Sequence, residues 1–341
     1  MKQAFVVEGR VEVREVATPT PGAGEALIQI RASGVCHSDL HIARGDWDFV
    51  RGSGLVGHEA IGVVAELGPG AEAYVEAGDR VILGLGGAGG AYWCGACEHC
   101  FAGRTRLCKQ ARAVVGTHAE YFVISAKALV KLPESIGDHE ASLACGGLTA
   151  YGAVKKLVTH QLLPGHRVAV IGAAGGLGHY AVQIAHAFGY RVAGVDIGVE
   201  RLDFVRSLGA ELAVEPDDAA KLVADWGGVD AALVFSSRLS GFELGLELLN
   251  PGGLFVGVGI PPSNEGALQI DPADFFVKDY TLVYSAVGNV VEMQELVDLV
   301  AAGKVRSTIS RTGALTELDT IFDELQTGRY LGRAVVTDLS A

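Results

Sequence analysis

The six cysteines of this chain fall into two groups, and both groups have the make-up of metal sites. One group is compact, with the spacing C-x2-C-x2-C-x7-C, and consists of Cys94, Cys97, Cys100 and Cys108. The other combines Cys36 and Cys145 with the histidine of a Gly57-His58-Glu59 segment. Four thiolates fit a closed structural zinc site, whereas two thiolates and one imidazole fit a catalytic zinc site with one open position. A closed and an open site in the same chain predict an enzyme.

Two other uses of the compact cysteine group remain open at the level of sequence. Three disulfides would account for six cysteines, but disulfide frameworks are typical of short secreted chains, and 341 residues can bury a large core without them. The spacing also resembles the iron–sulfur run C-x2-C-x2-C-x3-C-P, although Lys109 stands where the proline would be. His99 lies inside the group and can replace a cysteine, but with four thiolates present we expect it to be a solvated bystander.

Length, charge and hydropathy exclude several classes of protein. A chain of 341 residues predicts two domains, and no apolar run approaches the roughly 18 residues of a transmembrane helix. The first eight residues lack the long apolar stretch of a signal peptide. The net charge of −13 disfavours attachment to nucleic acid or to an anionic membrane. We therefore expect a cytoplasmic protein with reduced cysteines that binds neither nucleic acid nor membranes.

Up to about residue 140 the sequence has the pattern of short strands separated by glycine and proline. Residues 11–16 alternate between apolar and polar side chains, residues 26–31 do so nearly as well, and residues 61–67 end at a Gly-Pro-Gly turn. These are strand and turn signals, and no strong helical stripe interrupts them. The pattern predicts an all-β first domain.

After Cys145 the pattern changes to alternating strands and helices. The apolar run 168–171 leads directly into the glycine-rich turn 172–178, and a helix follows with Ala181, Ile184, Ala185 and Phe188 on one face. Residues 191–196 form the next strand. Later apolar runs at 231–235, 254–258 and 280–284 alternate with helix-like segments. This order predicts a doubly wound parallel sheet of the Rossmann type.

The glycine-rich turn has the context that a dinucleotide-binding site requires. It follows a strand, opens a helix, and precedes Asp196, which ends the next strand. Asp196 is expected to bind the adenosine ribose hydroxyls and to repel a 2′-phosphate, which favours NAD over NADP; alternatively it is a plain strand-end turn residue. Ala173 occupies the first glycine slot of a strict G-x-G-x-x-G. The predicted pyrophosphate-binding turn consists of Gly175, Gly176, Leu177 and Gly178.

Residues 36–41 hold the densest set of reactive side chains in the sequence. If Cys36 binds zinc, Ser38 is close enough along the chain to reach the open coordination position. A zinc-bound alcohol is acidified and its proton needs an exit, which Ser38 followed by His41 provides. Asp39 is suited to accept a hydrogen bond from the second ring nitrogen of His58. Each residue alone would more often be structural, but together with Cys145 they favour catalysis.

These motifs, taken in order, closely resemble those of the zinc-dependent medium-chain alcohol dehydrogenases, in particular the bacterial and yeast type. The resemblance spans essentially the whole chain and includes Gly-Arg-Ala-Val-Val at 332–336. It implies a GroES-like β-barrel catalytic domain, formed by residues 1–146 and 288–341. It also implies a doubly wound Rossmann NAD-binding domain, formed by residues 147–287 and inserted between the two catalytic segments.

The resemblance also implies a role for each matching residue. The catalytic zinc ligands are Cys36, His58 and Cys145, and the structural zinc ligands are Cys94, Cys97, Cys100 and Cys108. Glu59 is a nearby acid that binds zinc transiently, Ser38 and His41 form the proton relay, and Asp39 supports His58. The implied coenzyme contacts beyond the turn and Asp196 are His37 at the phosphates, Thr149 and Val258 beside the nicotinamide, and Arg201 and Arg333 near the ribose and pyrophosphate.

The implied activity is NAD-dependent oxidation of an alcohol to an aldehyde or ketone, and the reverse, with two zinc ions per chain in a homotetramer. A dehydrogenase of polyols or bulky secondary alcohols is the alternative within the family. A catalytically inactive nucleotide-binding relative is the alternative from another class. The sequence departs from the family pattern at residues 48–56, 84–91 and 108–122, which weakens any assignment of substrate. Trp47 is expected to border the substrate pocket, whereas Trp93 is as well suited to an exposed or core-packing place as to the pocket.

Overall fold

A computed structural model describes residues 1–46, 54–83 and 90–341 of the chain. They form two compact units, one made of Met1–Leu148 together with Val287–Ala341 and the other of Thr149–Ala286. The catalytic role expected for residues 1–146 and 288–341, and the coenzyme-binding role expected for residues 147–287, stay predictions at this point. Within the described ranges, no helix is both long and apolar enough to cross a lipid bilayer.

The amino-terminal part of the first unit consists largely of short strands, but the expectation of an all-β domain is wrong in one important place. Residues His37–Arg44 form an α-helix that begins directly after Cys36. Only Asp39 and Leu40 of this helix are buried. Because the helix does not bury a continuous face, its sequence lacks the apolar stripe by which a helix is predicted. The strands and helices of this part are β1 (Lys2–Val7), β2 (Arg10–Glu15), β3 (Glu25–Val35), α1 (His37–Arg44), β4 (Ala60–Leu67), β5 (Arg80–Leu83), α2 (Glu98–Phe101), β6 (Tyr121–Ser125) and β7 (Leu129–Lys131).

The middle of the chain alternates strands and helices, as its sequence predicts. Its elements are α3 (Gly146–Thr159), β8 (Arg167–Ile171), α4 (Gly178–Ala187), β9 (Arg191–Val195), α5 (Val199–Ser207), β10 (Leu212–Val214), α6 (Pro216–Trp226), β11 (Val229–Val234), α7 (Leu239–Glu247), β12 (Leu249–Gly257), α8 (Pro272–Lys278) and β13 (Thr281–Tyr284). Among the described residues, the strands form one parallel sheet in the order β10-β9-β8-β11-β12-β13. The prediction of a doubly wound Rossmann sheet is therefore confirmed.

The strands of the parallel sheet are buried on both faces of the sheet, which explains why their sequences are continuous apolar runs. Ile171, Val195, Val234 and Phe255 belong to one buried cluster that spans β8, β9, β11 and β12. Helices cover both faces of a parallel sheet, so its strands lack the polar alternation of a half-exposed sheet. The apolar face of α4 is buried against this sheet, and it consists of Ala181, Ile184 and Ala185.

The carboxyl-terminal part of the chain returns to the first unit. It contains α9 (Val290–Ala301), β14 (Ile309–Ala314), α10 (Leu318–Gln326) and β15 (Arg333–Asp338). Strand β15 pairs in parallel with β14 and antiparallel with β3. Among the described residues the sheet order is β14-β15-β3-β4-β5-β7, with β6 also paired to β3. Because Ala334 lies opposite Val35, the start of the last strand is next to Cys36.

Strand register also brings Glu59 beside β3. Ser33 lies opposite Ala60, and the Gly34 amide donates to the Glu59 carbonyl at 3.0 Å. A Cβ atom at Gly34 would overlap the Glu59 carboxylate and would lie 3.1 Å from the Cα of Ser142. Only glycine at this position therefore allows the two segments to approach so closely.

Candidate functional site

Three distant parts of the first unit bring one cluster of metal-binding side chains together. The ligand atoms of Cys36, His58, Glu59 and Cys145 all lie within 4.8 Å of one another, and all four residues are buried. Cys36 is at the end of β3, His58 and Glu59 immediately precede β4, and Cys145 follows a 3₁₀ turn formed by Asp138–Ala144. The structure thus brings together the side chains that the sequence assigns to the open metal site.

The carboxylate of Asp39 connects the segments of this cluster. Its Oδ1 atom accepts hydrogen bonds from His58 Nδ1 at 3.0 Å and from the Gly57 amide at 2.8 Å. Its Oδ2 atom accepts from the Cys36 amide at 3.3 Å, as part of the capping box of α1. Because Asp39 holds Nδ1 of His58, the Nε2 atom of that ring is the one available to a metal ion.

The two cysteines of the cluster share a hydrogen bond that shifts their pKa values in opposite directions. The hydrogen bond from Cys145, together with the nearby His58, lowers the pKa of the Cys36 thiol well below its usual range. The same hydrogen bond with Cys36, and in addition burial, raise the pKa of Cys145. Two sulfurs in contact and one oriented imidazole are the donors that zinc binds in catalytic sites, and it binds the sulfurs as thiolates.

Glu59 is fully buried beside the cluster, and two groups satisfy its carboxylate. Oε1 accepts from the Gly146 amide at 3.1 Å, and Oε2 forms an ion pair with the Arg333 guanidinium. Burial raises the pKa of Glu59 to about 7, and the positive charge of Arg333 opposes this rise. Arg333 was expected to contact the coenzyme; the structure places it in contact with Glu59 in the first unit, and the coenzyme contact stays a prediction.

The four cysteines of the second group lie at the separations of a tetrahedral sulfur site. The Sγ–Sγ distances are 3.5 Å for Cys97–Cys100, 3.6 Å for Cys94–Cys108 and 3.8 Å for Cys94–Cys100. Four sulfurs at about 2.3 Å from one zinc ion lie roughly 3.8 Å apart. None of the six cysteines, all within the described ranges, forms a disulfide. The Ala96 amide donates to Cys94 and lowers the pKa of that thiol to about 6, which favours the thiolate.

Aromatic and basic side chains pack together directly before Cys94, where the four-cysteine loop begins. Trp93 is buried, so an exposed position for it is excluded. Lys127 donates to the Trp93 carbonyl, and its ammonium lies 5.1 Å from the Trp93 ring and 4.8 Å from the Tyr92 ring. The Arg112 guanidinium lies 4.7 Å from the Tyr92 ring. These cation–π contacts place positive charge next to the loop that carries the four cysteines.

Helix α1 carries the side chains expected to move the proton. Ser38 and His41 are three residues apart on this helix and therefore share a face. His37, expected at the coenzyme phosphates, is the first residue of the same helix. Trp47, expected at the substrate pocket, lies outside the described residues.

Two residues near this helix escape the sequence interpretation. The Oδ2 atom of Asp46 lies 2.8 Å from Nδ1 of His41. The sequence signal that could have identified Asp46 is the Gly45-Asp46 pair, because glycine commonly ends a helix. His118 is fully buried, with its Nε2 atom 4.0 Å from Asp39 Oδ2. No sequence signal could have identified His118, because it is far along the chain from Asp39.

The glycine-rich turn of the second unit has the close packing that the sequence predicts. Gly172 has a φ of 81°, and α4 begins at Gly178, with Leu177 preceding it. A Cβ atom at Gly178 would overlap the carbonyl oxygen of Gly172, so the helix can approach the turn only through a glycine. The amino terminus of α4 thus opens from the turn that holds Gly175 and Gly176, which is a favourable place for a phosphate group.

The carboxylate of Asp196 is anchored at the end of β9. Oδ2 accepts from the Ala174 amide in the turn at 2.8 Å, and Oδ1 accepts from the Ile197 amide at 2.9 Å. Arg201 lies 3.7 Å from Oδ1. Two further predicted coenzyme contacts, Thr149 in α3 and Val258 after β12, are buried in the same unit. The position of Asp196 beside the glycine turn is the one a ribose-binding acid requires.

Comparison with known proteins shows the family of the chain. Residues 22–134 match the alcohol dehydrogenase GroES-like domain family, and residues 176–302 match the zinc-binding dehydrogenase family. The chain is 38% identical to an alcohol dehydrogenase of Geobacillus stearothermophilus, in an alignment that covers 98% of this chain and 99% of that protein. This chain belongs to the zinc-dependent medium-chain alcohol dehydrogenase family. It is an oxidoreductase that transfers a hydride between an alcohol and NAD.

Solved structures of alcohol dehydrogenases share the whole architecture. The alcohol dehydrogenase of the archaeon Aeropyrum pernix superposes with a TM-score of 0.88 at 32% identity, covering 99% of this chain and 100% of that chain. The acetophenone reductase of Geotrichum candidum, solved in complex with NAD, superposes with a TM-score of 0.84 at 30% identity, covering 99% and 97%. The predicted combination of a GroES-like and a Rossmann domain is confirmed.

We expect Asp196 to set the choice of coenzyme. Asp196→Ala removes a ribose acceptor and the charge that repels a 2′-phosphate, so the preference for NAD over NADP should fall roughly 10- to 100-fold, about 1–3 kcal/mol. The measurement is kcat/KM for each coenzyme at a fixed alcohol concentration. Asp203→Ala, which removes a surface carboxylate paired with Arg206, is the matched control and should not change the ratio. Equal use of both coenzymes by the wild type would refute the role of Asp196.

Proposed function

We propose that this alcohol dehydrogenase oxidises an alcohol to an aldehyde or ketone, and catalyses the reverse, at the Cys36–His58–Cys145 centre. The observation that carries the proposal is the buried convergence of two sulfurs and one imidazole, with all ligand atoms within 4.8 Å. Asp39 orients the imidazole of this set through a 3.0 Å hydrogen bond. Three protein ligands are the number that leaves one coordination position for substrate.

Each residue of the first unit has a distinct task in this proposal. A zinc ion at this centre supplies a Lewis acid that lowers the pKa of the substrate hydroxyl. Asp39 keeps Nδ1 of His58 protonated and thereby orients the ring. Ser38 accepts the hydroxyl proton and passes it to His41, which releases it to water. Glu59, paired with Arg333, supplies a buried carboxylate beside the ligands and would be the acid that could bind the ion transiently.

The second unit holds the coenzyme. The amides of the turn at Gly175, Gly176 and Leu177 bind the pyrophosphate, and Gly178 lets α4 pack against the turn. Asp196 would hold the adenosine ribose, and NAD bound there would supply the hydride acceptor. Remaining coenzyme contacts are assigned to Thr149, Val258 and Arg201 in this unit, and to His37 and Arg333 in the first. The Geotrichum candidum acetophenone reductase, a relative at 30% identity, is itself in complex with NAD.

Two alternatives differ in what they require of these residues. A polyol or bulky secondary-alcohol dehydrogenase uses the same centre and differs only in the substrate it admits. A catalytically inactive relative requires no intact ligand set, whereas this chain retains Cys36, His58 and Cys145, oriented by Asp39, and a serine and a histidine on α1. Retention of the complete set supports the enzyme.

We also propose that the enzyme is a cytoplasmic homotetramer with two zinc ions per chain. Strand β13 ends the parallel sheet of the second unit, and Leu282 and Tyr284 on it are exposed. Phe276 and Val277 on the neighbouring α8 are 88% and 78% exposed. An exposed strand edge beside exposed apolar side chains supports pairing with β13 of a second copy across a two-fold axis.

Turnover with a panel of primary, secondary and polyhydric alcohols tests the activity. With NAD at alkaline pH, at least one alcohol should produce NADH, because high pH favours release of the substrate proton. The measurement is absorbance of NADH at saturating NAD, and the preferred class separates the two dehydrogenase alternatives. Absence of NADH with every alcohol would favour the inactive relative.

Metal analysis of three proteins tests the two zinc sites. We expect two zinc ions in the wild type and one in Cys36→Ala, which should lose turnover but still fold and bind NAD. Cys97→Ala should lower thermal stability or assembly, because a closed thiolate site contributes folding energy directly. A single zinc ion in the wild type, or iron with visible absorbance, would contradict this assignment.

Light scattering of single variants tests the assembly. The wild type should have the mass of four chains, and Phe276→Asp or Leu282→Asp should give smaller species, because each places a charge in the proposed contact. Leu222→Asp is the matched control, since Leu222 on α6 is 39% exposed, as Leu282 is, and α6 packs at the β10 edge of the sheet, opposite β13. A monomeric wild type would refute the tetramer.

A further inference from the structure

The relay histidine, His41, contacts a residue that neither the motifs nor the proposed mechanism uses. Nδ1 of His41 lies 2.8 Å from Oδ2 of Asp46. The His41 side chain is 15% exposed and the Asp46 side chain 36% exposed, so the contact is at the edge of the fold. The distance is that of a good hydrogen bond between an imidazole and a carboxylate.

The end of α1 brings Asp46 back over His41. Gly45 adopts the left-handed conformation with φ 69° and ψ 31°. Its amide donates to the Ile42 carbonyl at 3.3 Å, and the Asp46 amide donates to the His41 carbonyl at 3.0 Å. This pair of hydrogen bonds is a Schellman motif, in which the second residue beyond the helix folds back onto its last turn. Asp46 is therefore tied to His41 through the backbone as well as through the side chain.

Among the described residues, the cation nearest to Asp46 along the chain is directed elsewhere. Arg44, two residues earlier, donates instead to the amide oxygen of Gln326 on α10. A hydrogen bond at the edge of the fold adds little to the free energy of unfolding, so stability gives little reason for the geometry. Fixing one nitrogen of a catalytic histidine, in contrast, determines which nitrogen carries the lone pair.

We propose that Asp46 is a positioning residue for the proton relay, which rests on the relay in the proposed function. Asp46 accepts a hydrogen bond from Nδ1–H of His41, and this tautomer carries its lone pair on Nε2. During alcohol oxidation the hydride leaves with two electrons to NAD. The hydroxyl proton passes to Ser38 as the Ser38 proton passes to Nε2. His41 is then a cation next to the Asp46 carboxylate, and its return to the neutral form releases one proton to water. Asp46 thus orients the ring and offsets the charge that forms on it.

A double-mutant cycle on the zinc-loaded full-length enzyme tests this proposal. Single-turnover NADH formation is measured at pH 7 for the wild type, Asp46→Asn, His41→Ala and the double variant, so that product release does not hide the step. Asp46→Asn should slow the step about 10-fold with little change in the KM for NAD, since general base catalysis contributes about 10²- to 10⁴-fold. The double variant should be no slower than His41→Ala, because Asp46 acts only through His41.

Two controls separate positioning from structural damage. Asp46→Glu should recover part of the rate because it restores a carboxylate, and Glu12→Gln, which removes a surface carboxylate paired with Arg14, should match the wild type. A normal rate in Asp46→Asn while His41→Ala is slow would overturn the proposal. Losses that add in the double variant would also overturn it. Wild-type turnover in the same assay reports separately on the proposed function, and His41→Ala alone reports on the relay.

Discussion

One buried carboxylate, that of Asp39, holds the catalytic segments of the first unit together. It closes the capping box of α1 through the Cys36 amide, and it binds both the Gly57 amide and the ring of His58. A carboxylate that is only 3% exposed is costly unless every lone pair is satisfied, and here three donors converge on it. The same contacts that satisfy the charge therefore set the start of the helix, the position of one metal ligand and the orientation of another.

The two clusters of proposed metal ligands are assembled in physically different ways. The four-cysteine site is local, because its ligands lie between Cys94 and Cys108 and backbone amides of the same loop donate to the sulfurs. The catalytic site is non-local and depends on the register of β3 against β4 and β15. Gly34 illustrates the difference, since its lack of a side chain makes room for the carboxylate of Glu59. Errors in register would disturb the catalytic site and leave the other intact.

Features that depend on short-range chemistry are the ones the sequence predicts well. The structure contains the glycine turn, the strand before it and Asp196 after it. All three are predictable because each depends on residues that are close together in the sequence. Helix α1 is not predicted from hydrophobic periodicity because it has only eight residues and buries only Asp39 and Leu40. The contact between Glu59 and Arg333 is not predicted either, because a separation of 274 residues carries no periodic signal. Local capping at both ends decides the helix, and the pairing of β15 with β3 decides the contact between Glu59 and Arg333.

Strand β15 lies between β14 and β3, so the sheet of the first unit can be completed only after the end of the chain has been synthesised. A ribosome that adds about 5–20 residues per second reaches Arg333 roughly 15–60 s after β3 has been synthesised. During that interval the cysteine loop and the continuous segment Thr149–Ala286 can each fold from residues already made. Glu59, in contrast, waits for the cation that neutralises it. The nascent chain therefore completes its structural loop first and its coenzyme unit second, and the centre that performs the chemistry is finished only when the last strand arrives.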